Sequence, residues 1–111
     1  MRVKRGVTYS KLCPQAWFAL GVAEAVYKQH GFTLRWTSGD DSHAHRPKSL
    51  HNTGMAVDLG IRAIPATTLG AIVRDLTRIL DPQGYDVVPE SDHVHVEHQP
   101  KEAEIWLETV A

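Results

Sequence analysis

Two short stretches of strict two-residue alternation constrain this chain most. In residues 54–61, Met55, Val57, Leu59 and Ile61 fall on one face, and Ala56, Asp58 and Gly60 on the other. In residues 93–97, Val94 and Val96 share one face while His93, His95 and Glu97 share the opposite one. Side chains on a strand point alternately to its two faces, so each stretch reads as a half-buried strand with ionisable groups on its polar side. A chain of 111 residues has room for one core, so residues 1–111 are expected to form a single domain.

The remaining elements follow from periodicity and punctuation. Trp17, Leu20, Ala23 and Tyr27 recur at helical spacing between Pro14 and Gly31, predicting a helix over 14–30. Residues 32–37 alternate and predict a strand, and the polar, irregular residues 38–52 predict a loop. Leu69, Ile72, Val73, Leu76, Ile79 and Leu80 form the clearest apolar helical stripe, with Thr67 or Thr68 as the expected cap and Asp81-Pro82-Gln83-Gly84 as the stop. A short strand over 85–88 and a closing helix over 101–110 complete the order. The expected class is α+β, a small antiparallel sheet with flanking helices.

Charge excludes some partners. Twelve Lys+Arg against thirteen Asp+Glu give a formal net charge of −1, so no nucleic acid and no anionic membrane is expected as a partner. No apolar run approaches the ~18–20 residues that span a bilayer. The start, MRVKRGVTYSKLCPQAW, is basic but lacks the apolar stretch of a secretory signal. Cys13 is the single cysteine and cannot close a disulfide within the chain. A monomer is expected.

The unusual residue is histidine. Of seven, five lie in two short clusters: His43, His45 and His51, then His93 and His95. Asp58 is flanked two residues away by Ala56 and Gly60, too small to cover its carboxylate. His51 approaches from the loop, and Gly54 lets the chain turn close to the strand. Imidazole nitrogens and carboxylate oxygens are good zinc ligands. His93 and His95, at i and i+2, stand ~6.6 Å apart on one strand face, so that one can bind a metal while the other stands beside the reacting water. Two histidines and a carboxylate with one position left open are the pattern of a catalytic zinc site. The competing reading is an exposed edge strand whose polar side faces water.

Ser49-x-His51-x-x-Gly54-x-Ala56-x-Asp58, followed by His93-x-His95, resembles the zinc D,D-peptidases. That group spans D-alanyl-D-alanine carboxypeptidases, phage cell-wall endopeptidases and the amino-terminal domain of hedgehog proteins. The likeness covers roughly residues 37–97, and the preceding Leu34-Arg35-Trp36-Thr37-Ser38-Gly39 is similar to the strand and turn before the zinc loop of such enzymes. It implies a hedgehog/D,D-peptidase-like fold with zinc held by His51, Asp58 and His95. It implies a general base shortly before the last ligand: Asp92, three residues before His95, or Glu90 in the pair Glu90-Ser91. It implies that His93 stabilises the tetrahedral intermediate.

The chain departs from the family pattern at one point. The arginine usually found after "SG" is replaced by Asp40, Asp41 and Ser42, and Arg46 is the nearest arginine. Ser49 and Arg46 are the expected substrate-side residues. Unless Arg46 stands in for the missing arginine, cleavage is expected at an internal bond rather than beside a free carboxylate. His43 and His45 read as solvated loop histidines. The expected function is zinc-dependent hydrolysis of peptidoglycan stem peptides, of carboxypeptidase or endopeptidase type. The alternative is a non-catalytic zinc-bearing binding or phage structural module of the same fold. The small size and missing leader suggest a phage or prophage lysis or tail protein, or a bacterial protein exported otherwise, acting at the bacterial cell wall.

Overall fold

The computed structural model describes residues 1–40 and 50–99. Strands β1 (Arg2–Val3), β2 (Arg35–Ser38), β3 (Ala56–Gly60), β4 (Tyr85–Pro89) and β5 (His93–His98) form one sheet in the order β1-β2-β3-β5-β4. Helix α1 (Pro14–Gln29) precedes β2, and helix α2 (Ala66–Leu80) connects β3 to β4. The class is α+β, but the sheet is mixed rather than antiparallel throughout. β1 runs parallel to β2, while β2–β3, β3–β5 and β4–β5 are antiparallel. β1 has only two residues, too few to show a periodic pattern, which is why the sequence does not announce it.

The apolar face of the sheet packs on the helices. Val57, Leu59, Val94 and Val96 share a core with Leu20, Ala23, Val26 and Tyr27 of α1 and with Ile72, Leu76 and Leu80 of α2. The alternation of β3 and β5 is therefore realised: the valines and Leu59 are buried on the helix side. Trp17, from the predicted apolar stripe of α1, is instead 43% exposed. It stands edge-on to Trp36, with ring centroids 5.4 Å apart.

Element edges differ from expectation where tertiary bonds decide them. β2 starts at Arg35 rather than Phe32, because the Phe32 N–H is spent on the Tyr27 carbonyl at the end of α1. α2 starts at Ala66 after Pro65, with no side-chain cap from Thr67 or Thr68. The Pro65 carbonyl accepts the Leu69 N–H at 2.8 Å, and proline's fixed φ suits that entry. At the end of the predicted loop the described residues form a 3-10 turn, Leu50–Thr53. The closing helix expected over 101–110, and Arg46, Ser49, His43 and His45, lie outside the described residues.

Candidate metal centre

Two strands and one loop turn converge on the sheet face opposite the helices. β3 and β5 pair with Asp58 opposite His95 and Gly60 opposite His93. Adjacent strands lie ~4.8 Å apart, so Asp58 and His95 project side by side from that face. His51 comes from the 3-10 turn and is 2% exposed. Its Nε2 lies 3.0 Å from Asp58 Oδ1 and 3.2 Å from His95 Nδ1. Asp58 Oδ1 lies 3.0 Å from His95 Nδ1. The three ligand atoms expected from the resemblance thus form a nearly equilateral triangle.

The outer nitrogen of each imidazole is tied down. His51 Nδ1 is 2.7 Å from the Gly39 carbonyl oxygen. A carbonyl only accepts, so Nδ1 carries the proton and Nε2 presents its lone pair to the cluster whenever the ring is neutral. His95 Nε2 is 2.9 Å from Glu97 Oε1, and by the same logic Nε2–H donates outward and Nδ1 faces inward. In the sequence Glu97 is distinguished only as part of the polar stripe of residues 93–97. Its place at i+2 from His95 on one strand face was the available signal, and a carboxylate behind a ligand histidine fixes tautomer and ring orientation.

The electrostatics agree with a cation site. Burial pushes the Asp58 carboxyl up, but hydrogen bonds from His51 and His95, with the charges of His51 and His93, outweigh it and hold the carboxyl well below its usual range. The hydrogen bond to Asp58 raises His95 against its desolvation, with Glu97 adding to the rise. Two neutral imidazole lone pairs and one carboxylate facing one another would repel, so the triangle needs a positive charge at its centre: protons or a metal ion. Three donors each ~2.0–2.1 Å from a tetrahedral zinc stand ~3.3 Å apart, close to the observed edges. Among the described residues, His51, Asp58 and His95 are the group that can hold a metal ion.

Glycines permit this convergence at two points. Gly39 brings its carbonyl to His51 while its Cα packs on Thr8 and Trp36; a Cβ there would strike the Thr8 carbonyl oxygen and come within 2.9 Å of the Trp36 ring. Buried Asp40 holds the same crossing, accepting from the Thr8 hydroxyl and the Lys11 N–H. Gly54 has φ +75° and would drive a Cβ into the Lys11 carbonyl. Gly54→Ala is therefore expected to destabilise the fold by more than ~1 kcal/mol, adding left-handed strain to a backbone clash. Urea unfolding checks this, and an unchanged midpoint refutes it.

The remaining predicted residues fall into two groups. His93 Nε2 lies 3.5 Å from Asp58 Oδ1, while its Nδ1 is 2.6 Å from Asp92 Oδ1. Asp92 is largely exposed, its carboxylate on the outer side of the His93 ring. The bend before β5 thus brings Asp92 to His93. Glu90 is also exposed; its N–H bonds the His93 carbonyl at 2.8 Å and closes the β4–β5 hairpin. A cleft of about 540 Å³ opens beside the cluster, lined by Asp58, His93 and Asp92 and not by Glu90. Among the described residues no helix is long and apolar enough to cross a membrane. Comparison with protein-family models, with curated proteins and with solved structures finds no match to this chain.

Proposed function

We propose that the chain is a zinc-dependent peptidase of the hedgehog/D,D-peptidase type that hydrolyses amide bonds of peptidoglycan stem peptides. The observation that carries this is the triangle of His51 Nε2, Asp58 Oδ1 and His95 Nδ1, with edges of 3.0–3.2 Å and both outer imidazole nitrogens engaged. The substrate class rests on the motif resemblance, and an adjoining cleft supports an enzyme over a purely structural ion. A bound zinc would supply a Lewis acid for the scissile carbonyl and acidify the attacking water. His51, Asp58 and His95 would hold it. Asp92, by accepting from His93 Nδ1, leaves the Nε2 lone pair of His93 free on the cleft side of the cluster. The pair can then take a proton from water and return it to the leaving amine.

The test is metal analysis joined to peptidoglycan digestion. About one zinc per chain, with hydrolysis lost on chelation and restored by zinc, is the expected result. A chain that holds zinc and releases no peptide from peptidoglycan rejects the enzyme.

Acidity separates the metal-free and metal-loaded forms. The lowered Asp58 carboxyl contributes stability above its unfolded value of ~3.9, lost as pH falls through the folded value. The raised His95 contributes stability below its unfolded value of ~6.5, lost as pH rises through the folded value. In chelator, the site therefore stabilises most between these two limits and less on the alkaline side. Zinc requires neutral imidazoles and acts in the opposite sense. The melting-temperature increment on adding zinc should grow from pH 5.5 to pH 8; an increment that stays flat rules out histidine ligation.

A further inference from the structure

The cleft beside the cluster has a second chemistry in its rim. Lys4, Arg5, Arg35 and Arg62 line it. They come from three separate segments: the turn after β1, strand β2 and the turn after β3. Among the described residues, none of the four side chains makes an ion pair or hydrogen bond. The two carboxylates in the lining are already engaged by histidines, Asp58 by His51 and His95, and Asp92 by His93. The chain as a whole has a formal net charge of −1, so this local excess of cations is not general basicity. Four cations against these two carboxylates leave the lining net positive, and a concave wall focuses that field on whatever enters.

At Gly60 the floor is bare backbone, closely approached by its neighbours. A Cβ there would stand 3.0 Å from Arg35 Cβ and 3.2 Å from Thr37 Cγ2. Gly60 also pairs with His93, so Arg35 and His93 flank a stretch of floor that is glycine backbone. Among the described residues the lining contains no Phe, Tyr or Trp, so it lacks the large rings on which bases of single-stranded nucleic acid stack. A cleft of about 540 Å³ is within the ~300–1,000 Å³ of small-ligand sites, room for a few peptide residues.

We propose that this cleft binds an acidic peptide carrying two or more carboxylates, held by Lys4, Arg5, Arg35 and Arg62, beside the His51–Asp58–His95 cluster. The inference rests on the peptidase reading for the word peptide, and on the cleft alone for the charge. It locates anion recognition on side chains other than Arg46.

Binding of two end-blocked peptides, acetyl-Glu-Ala-Ala-Glu-amide and its glutamine counterpart, tests it by calorimetry on the full chain with and without zinc. The acidic peptide should bind at least tenfold more tightly in both states, with the advantage shrinking at high salt. Arg35→Gln and Arg62→Gln should each weaken it about tenfold, the scale of one charge-assisted hydrogen bond. Melting curves identify any variant that does not fold, and Lys4→Gln, on an exposed side chain, then carries the same test. Equal binding of the two peptides overturns the proposal. So does tighter binding of an oligothymidylate than of the acidic peptide. Charge-dependent binding without stem-peptide hydrolysis keeps the cleft assignment and removes the peptidase; hydrolysis with equal binding of both peptides does the reverse.

Discussion

Asp92→Ala is expected to lower peptidoglycan hydrolysis by ~10²–10⁴-fold, the usual scale for loss of general acid–base catalysis, while the zinc content stays at its unmodified level. The reason is positional. Asp92 bonds His93 Nδ1 at 2.6 Å and touches none of the three ligand atoms through any hydrogen bond, so its loss frees the His93 ring without opening the metal triangle. His93→Ala should fall by a similar factor, mainly in kcat, and combining the two should cost little more than either alone. Residues that act as one unit are not additive. Glu90→Ala should change rate only slightly, because its exposed side chain lies off the cleft. Steady-state kinetics with metal analysis on the same samples checks all four variants. Loss of zinc from Asp92→Ala, or a larger loss of rate from Glu90→Ala, would contradict the assignment.

The second large effect lies at the metal. Asp58→Ala should reduce zinc affinity by more than ~100-fold, beyond the 10–100-fold typical of outer partners, because a ligand atom itself is lost. Glu97→Gln provides the calibrating comparison. It keeps an acceptor near His95 Nε2 but removes the charge, and its loss of affinity should stay within ~10–100-fold. Competition with a chromogenic chelator measures both. Full zinc occupancy in a folded Asp58→Ala variant would falsify the three-residue site.

Much of this site was legible from spacing. The period-two patterns of β3 and β5 put Asp58 and the His93-x-His95 pair on polar faces. In the structure the same alternation buries Val57, Leu59, Val94 and Val96 against the helices. Strand periodicity is a local consequence of backbone geometry, so it survives folding unchanged. The stripe of α2 was equally plain, with Ile72, Leu76 and Leu80 fully buried. Its start was not, since the entry is governed by Pro65 rather than by a threonine hydroxyl.

Other features depend on chain segments far apart in sequence. Which strand lies beside which is a matter of register, and it is the Asp58–His95 pairing that turns two polar stripes into one triangle. The Gly39 carbonyl that orients His51 is fixed by contacts of residues 38–40 with residues 8–11 and with Trp36, contacts that no local pattern encodes. Lys4 and Arg5 look like an ordinary basic start until β1 pairs in parallel with β2 and brings them to the rim that Arg35 and Arg62 share. The sequence by itself determined the residue types, the alternating faces and the spacing of the candidate ligands, because these are set within a few bonds of each residue. Only the tertiary structure decided the mixed sheet, the tautomers imposed by Gly39 and Glu97, the pairing of Asp92 with His93 and the cationic cleft, because each requires side chains that meet only after the chain has closed long loops.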